Sequence, residues 1–281
     1  MAIRITSDST CDLSSLVEQR NIGILPLGVN LDADSYLDGV NITPQDIFKF
    51  VAETKMLPKT SAPSIGDYEE FFEEQLKGYD EVIHFNISAK CSGSHNAALH
   101  AAESFNGKVH VIDSMALSSG QGLLVMKAAD LRDAGKSASE IIDEINGLRW
   151  SVNTSFVPDS LDYLHKGGRV SGTVNVAAAV LKIHPLIYMK DGALLPGKKY
   201  TGKMSMCLKR YVADLKEMYP KYDKTRCFVT HSCADEELVQ LAKELVKENF
   251  QFDEVLETVA GSIVTSHCGR NTLGVLFITD Q

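Results

Sequence analysis

The sequence predicts an α/β protein of two α/β domains, the first built on a mainly parallel sheet. Three observations carry that expectation. Short apolar runs with strand character alternate with amphipathic stretches along most of the chain, the pattern of successive βα units. With 281 residues, 44% of them apolar and 23% charged, the chain is long enough for two modest cores. A Gly167-Gly168 break follows a short helical stretch just past Pro158, which sets the expected domains at 1–157 and 158–281.

Residues 3–7 alternate apolar and polar side chains and read as a strand. Residues 24–31, 81–87, 108–112 and 151–157 read the same way. Between them, Thr43-Pro44-Gln45-Asp46 sets a cap hydroxyl, a first-turn proline and an early acid ahead of Ile47, Phe48 and Val51, which starts a helix. Ser64-Ile65-Gly66-Asp67 starts another as a variant capping box. In the second half, residues 159–166 read as helical from the spacing of Leu161 and Leu164. A small-residue helix is expected over 174–181, a strand over 185–189 and a Gly/Lys loop over 191–203. A long helix, a strand over 226–231 and a helix over 234–248 follow; strands over 254–258 and 273–278 then flank Thr265-Ser266-His267-Cys268-Gly269.

Bulk properties exclude several classes. A net charge of −9 and a pI near 5.4 work against nonspecific binding to nucleic acid or anionic membrane, which rests on clustered Lys and Arg. No nucleic-acid partner is expected. No apolar run approaches the roughly 20 residues that cross a bilayer, and the N-terminal stretch lacks the apolar core of a secretory signal. The expected location is the cytoplasm, where Cys11, Cys91, Cys207, Cys227, Cys233 and Cys268 stay as thiols. Their spacing lacks the close pairs of a zinc ribbon, so no metal is expected.

The informative feature is where hydroxyls gather: Ser7-Asp8-Ser9-Thr10, Thr60-Ser61-Ala62-Pro63-Ser64, and Ser88 through Ser94 with Gly93. The first and third follow expected strands and the second leads into a helix. In an open α/β sheet such loops meet at the ligand crevice, where helix N-termini present unpaired N–H groups. Each loop alone reads more readily as helix capping; the coincidence of three points to a bound anion. Neither G-x-G-x-x-G nor a Walker A run occurs, which disfavours a nucleotide, whereas a carboxylate in a partly dry site is held well by a few hydroxyl and N–H donors. In the second half Arg169, after the double glycine, offers a charged fork or is a surface side chain beyond a helix stop. His267 reads as a donor to the same anion, a phosphorylatable nucleophile or a satisfied core histidine.

The ordered set of motifs resembles the DegV family of bacterial fatty-acid-binding proteins along nearly the whole chain. Ser7-Asp8-Ser9-Thr10-Cys11-Asp12-Leu13 is similar to its N-terminal signature, Thr60-Ser61-Ala62-Pro63-Ser64 to its T-S-x-P-S loop, and Ser92-Gly93-Ser94-His95-Asn96 to its S-G-T loop and following helix. Val111-Ile112-Asp113-Ser114 with residues 118–122, then residues 166–171 and 265–274, continue the order. The resemblance implies two α/β domains enclosing one long-chain fatty acid, its carboxylate bound by Thr60, Ser92 and His267 with Ser61, Gly93 and Arg169 in support. It implies no catalytic residue, no metal and no cofactor beyond the bound lipid. It also implies a carrier that presents the lipid to a separate ATP-dependent fatty acid kinase of dihydroxyacetone-kinase type, then passes the acyl phosphate to an acyltransferase or, transiently, a membrane surface. Arg169 falls on the arginine that supports work with that kinase.

Departures from the family pattern are His184 before Pro185, the basic run Lys198-Lys199-Tyr200-Thr201-Gly202-Lys203, and His267-Cys268-Gly269-Arg270-Asn271 in place of H-T-G-P-G. Asn271 can adopt the left-handed conformation that glycine would take there. Burying a sixteen-carbon tail is worth on the order of 10 kcal/mol before association costs, so apolar contact would supply most of the affinity, with residues 174–181 expected in the wall. Rival readings are a phosphotransfer protein using His267 and a thiol or metal protein using Cys227, His231 and Cys233. A serine hydrolase is disfavoured because no G-x-S-x-G elbow occurs.

Overall fold

The computed structural model describes residues 1–169 and 183–280; the helix expected over 174–181, with Val170 and Ser171, lies outside them. The first part runs β1 (Ile3–Asp8), α1 (Leu16–Gln19), β2 (Ile22–Leu25), β3 (Gly28–Leu31), β4 (Asp34–Leu37), α2 (Pro44–Thr54), β5 (Lys59–Ser61), α3 (Ile65–Gln75), β6 (Glu81–Asn86), α4 (Ser94–Ala102), β7 (Val109–Asp113), α5 (Ser119–Asp133) and α6 (Ala138–Leu148). The rest runs β8 (Val152–Asn153), β9 (Ser155–Val157), α7 (Asp162–Lys166), β10 (Ile183–Lys190), β11 (Ala193–Thr201), α8 (Met204–Met218), β12 (Tyr222–Ser232), α9 (Glu236–Asn249), β13 (Glu254–Val259), α10 (Ser262–Cys268) and β14 (Thr272–Thr279).

The first sheet, in the order β2-β1-β6-β7, is parallel throughout, as expected. Tyr68 and Phe72 of α3 and Ala98 and Ala101 of α4 cover one face, packing on Leu25, Val82 and Val109. α5 and α6 cover the other through Leu123, Leu124, Ile141 and Ile145, set against Ile5, Ile83 and Phe85. The same cluster takes in Phe228, Leu276 and Ile278 of the second sheet, so α5 lies between the two sheets and its first two turns are buried all round. Its glycine spacing permits this: a Cβ on Gly122 would stand 2.7 Å from the Cys11 carbonyl oxygen, and one on Gly120 would overlap Thr154.

The second sheet runs β11-β10-β9-β14-β12-β13, with β8 also on β14; β12 and β13 are parallel and the other pairs antiparallel. α8 and α9 pack on it through Cys207, Tyr211, Leu215, Val239 and Val246. β8 and β9, which lie just before Pro158, belong to this sheet, so the change of sheet falls at Val152. A small antiparallel sheet, β4-β3-β5, forms a third unit.

Three expected elements differ. The strand expected over 24–31 is two strands in different sheets, because Pro26, which has no N–H for a ladder, follows β2 directly. The loop expected over 191–203 is β11: Asp191 (φ 50°) and Gly192 (φ 77°) make the tight turn of a β10–β11 hairpin. The helix expected over 159–166 is only α7, Asp162–Lys166. The capping box expected at Ser64 with Asp67 is present, and the helix start expected at Thr43 is also a capping box, with Asp46.

Candidate functional site

The small sheet places Thr60 on β5, opposite Val29 of β3. The loop after β6 brings Ser92 and Gly93 to the start of α4, where Ser92 Oγ accepts from the Ser94 N–H at 3.2 Å and lies 2.8 Å from Ser94 Oγ. α10 carries His267 in its last turn, and α7 ends just before Arg169. These four pieces come from separate stretches of chain. Together Thr60, Ser61, Ser92, Gly93, Arg169 and His267 line one cavity between the two large sheets, which holds about 1100 Å³ outside protein atoms, its open mouth included.

At the polar end, His267 Nε2 lies 2.9 Å from Thr60 Oγ1. Its Nδ1 is buried and, among the described residues, has no hydrogen-bond partner; it lies beside Gly167, where an added Cβ would approach to 2.8 Å. Burial, and then the positive charge of Arg169, pull the imidazole down to about 4, so the ring is neutral at physiological pH. An unpaired buried N–H costs more than an unpaired lone pair of a neutral ring, which puts the proton on Nε2. Nε2–H then donates to Thr60 Oγ1, and the Thr60 hydroxyl is left free to donate its own proton into the cavity. Arg169 is exposed, its Nη1 donating to the Gly167 carbonyl oxygen at 2.7 Å.

Much of the remaining wall is apolar: Leu27, Ile87, Leu117, Phe156, Leu164, Leu194, Ile263, Val264 and Leu276. The hydroxyl residues among them are already committed. Ser118 donates to Asp12, Thr230 pairs with Ser119 and Thr258, Ser155 with Tyr211, Ser232 with Thr265, and Thr272 donates to the Cys268 carbonyl. With their polar atoms bonded to protein, they offer hydrocarbon to the cavity. An amphipathic molecule with one anionic end fits this lining.

The first hydroxyl loop does not join this site. Ser7, Asp8 and Thr10 are fully buried. Asp8 accepts from Thr10 N–H, Ile87 N–H, Asn86 Nδ2 and Gln121 Nε2, and burial raises its carboxyl above the usual range despite these bonds. The loop cross-links β1, β6 and α5 rather than meeting a ligand. Sequence reading also missed Leu27, Phe156 and Val264 in the wall, because a cavity-lining apolar side chain looks like any core residue. Asn271 has φ 57°, and its Oδ1 accepts from the Asp235 N–H at 3.0 Å, so the turn survives without glycine. His184 is buried, with Nδ1 3.2 Å from the Pro158 carbonyl oxygen. Among the described residues, no group of three or more His, Cys, Asp or Glu could hold a metal ion. Among them, too, no helix is long and apolar enough to cross a membrane.

Fold and site together define a two-sheet α/β protein with its cavity between the sheets. The family model described as "Uncharacterised protein, DegV family" matches residues 2–280, and the chain belongs to the DegV family. A DegV domain-containing protein of Caldanaerobacter subterraneus is 31% identical over 98% of both chains. One of Clostridium acetobutylicum is 32% identical over 98% of both. Among solved structures, a fatty-acid-binding DegV family protein from Thermus thermophilus superposes with a TM-score of 0.91 at 30% identity over 100% of both chains. A stearic acid-binding protein from Eubacterium ventriosum gives 0.86 at 29% identity, covering 99% of this chain and 98% of that one. DegV from Bacillus subtilis, a fatty acid binding protein, gives 0.85 at 27% identity over 100% of both.

Proposed function

We propose that this protein binds one long-chain fatty acid, with the carboxylate at Thr60, Ser92 and His267 and the tail in the apolar cavity. The observation that carries the reading is one cavity whose largely apolar lining also holds Thr60, Ser92, Arg169 and His267. Thr60 and His267 meet there, while Ser118, Thr230 and Ser232 of the same lining are spent on protein partners. Relatives of the same fold that bind fatty acids support it. In this reading the neutral His267 ring holds the Thr60 hydroxyl as a donor, Ser92 supplies a second, and Arg169 adds charge at the exposed end. Ser61 and Gly93 shape the loops around them.

The chain itself does no chemistry here. It presents the carboxylate to a separate ATP-dependent fatty acid kinase of dihydroxyacetone-kinase type, as the family resemblance implies. A carboxylate oxygen attacks the γ-phosphorus of ATP, ADP leaves, and the carrier then delivers the acyl phosphate to an acyltransferase or a membrane surface. An ATP-dependent partner places the encounter in the cytoplasm. Phosphotransfer through His267 is disfavoured: Nδ1 is buried and Nε2 is engaged with Thr60, so neither nitrogen is open to an incoming phosphoryl group.

Organic extraction and mass spectrometry of the purified protein tests the first step, and one fatty acid per chain is expected. Incubation of the loaded protein with ATP and such a kinase tests the second. Thr60→Ala and Ser92→Ala should impair phosphorylation of bound lipid more than its retention. An extract without stoichiometric lipid, together with no binding of added palmitate, would refute the reading.

A further inference from the structure

α10 is held at both ends by the part of the chain that carries Thr60. At its C-terminal end His267 meets Thr60. At its N-terminal end the Gly261 N–H donates to Asp12 Oδ1 at 2.8 Å, and the Ser262 N–H to Asp38 Oδ1 at 2.7 Å. Both carboxylates are themselves pinned, Asp12 by the Ser118 hydroxyl and Asp38 by the Ser9 hydroxyl at 2.8 Å. There is no slack at this joint: a Cβ on Gly261 would stand 3.0 Å from Asp38 Oδ2 and 3.2 Å from Asp12 Oδ1.

Asp38 immediately follows β4, a strand of the sheet that bears Thr60. That sheet rests on α10 through Ile263, which packs with Leu27, Val29, Ile42 and Ile47. Sheet and helix therefore meet at three points along seven residues: carboxylates at one end, an apolar contact in the middle, and the hydroxyl–imidazole pair at the other. A displacement of α10 by 1 Å along the line of the 2.9 Å Thr60–His267 contact would stretch it past hydrogen-bonding range.

We infer that Asp12 and Asp38 are positioning residues for the carboxylate site: by gripping the start of α10 they set its placement against the small sheet and so keep His267 on Thr60. The inference rests on reading Thr60 and His267 as the head-group site. It also gives the buried acids of the N-terminal motif a task that the ligand contacts leave unexplained.

The test is a double-mutant cycle read with palmitate and with 1-hexadecanol, which shares the tail and lacks the carboxylate. Asp38→Ala should weaken palmitate binding about tenfold, the loss expected for one misplaced charge-accepting contact, and change hexadecanol by less than about twofold. Asp38→Asn, which keeps an acceptor, should recover most of the palmitate affinity. In a His267→Ala background the further loss on Asp38→Ala should shrink to within about twofold, since the contact being positioned is gone. Should Asp38→Ala not fold, Gly261→Ala repeats the experiment with both acids in place and one methyl wedged against them. Equal losses for acid and alcohol, or losses that simply add in the His267→Ala background, overturn the positioning role while leaving the site reading intact. A wild-type protein that does not prefer palmitate to hexadecanol overturns the site reading and this inference with it.

Discussion

Replacing Thr60 by valine keeps shape and branching and deletes one hydroxyl. Among the described residues that hydroxyl has one partner, His267 Nε2 at 2.9 Å. With a carboxylate bound it would bridge imidazole and ligand, and its loss strands a charged acceptor in a partly dry cavity. Hydrogen bonds to charged groups contribute about 1.5–3 kcal/mol, which is roughly a 10- to 150-fold loss in palmitate affinity. The tail sets the comparison: shortening palmitate to laurate removes four methylenes, worth about 3 kcal/mol at ~0.8 each, or about 200-fold. In wild type the shorter acid should therefore cost at least as much as the mutation, and the two effects should add, because one acts on the wall and the other at the head. Displacement of a fluorescent fatty acid at pH 7.5, with palmitate, laurate and 1-hexadecanol as competitors, reads all three. The reasoning fails if Thr60→Val leaves palmitate within twofold of wild type, or if hexadecanol loses as much as palmitate.

Other expectations concern stability. His267 titrates near 4 in the folded protein against an ordinary 6.5, so the unfolded chain binds the extra proton between those values, and the contribution is present above pH 6.5 and lost as pH falls through 4. The stability advantage of wild type over His267→Gln should accordingly shrink by up to about 3 kcal/mol between pH 7 and pH 4 in urea melts. Asp12 has the opposite sign: burial raises it to about 8, against the Ser118 and Gly261 hydrogen bonds, so its contribution is present below the ordinary carboxylate range and lost as pH rises through 8. Asp12→Asn should gain on wild type in melting temperature between pH 5 and pH 9. A Cβ on Gly274 would press to 2.8 Å from the Ser155 carbonyl oxygen and 3.2 Å from Phe156 Cβ, so Gly274→Ala should part β14 from β9 at a cost of about 1–3 kcal/mol by urea midpoint.

What the sequence made legible follows the range of the forces involved. Local signals read well: the capping boxes at Thr43 and Ser64 and the apolar runs of β1, β6 and β7 are set by neighbours within a few residues. The β10–β11 hairpin carried its own signal in Asp191-Gly192, which the lysines of the following strand disguised as loop; Tyr200, buried with its hydroxyl on Asp214, shows the face that points inward. α5 was harder. Packed between two sheets, it has no polar face over its first turns, and the period that marks an amphipathic helix is absent there. Pairing across sheets was invisible altogether, so the small sheet that carries Thr60, assembled from residues 28 to 61, had no local mark.

The site shows the same division in sharper form. Hydroxyl clusters marked two of the cavity's loops and misled on the first, because composition reports that a segment can hold polar partners without saying which. Asp8 and Asp12 spend their capacity on backbone N–H groups and on Gln121 and Ser118, all buried, and Asp38 does likewise with Ser9 and Ser262. Of these, Asp12 and Asp38 reach across to Gly261 and Ser262, and two buried carboxyl groups that face amides and hydroxyls instead of cations make a costly way to join two halves of a chain, since each must be nearly fully hydrogen-bonded to be tolerated. That cost buys directionality, which an apolar contact lacks. Ile263 alone would let α10 slide over Val29 and Ile47; two carboxylates aimed at consecutive N–H groups would not. A head-group site of the kind proposed, split between a strand, a loop and a helix from distant parts of the chain, would need that registration, whereas a wall for the tail, held by surface area alone, would not.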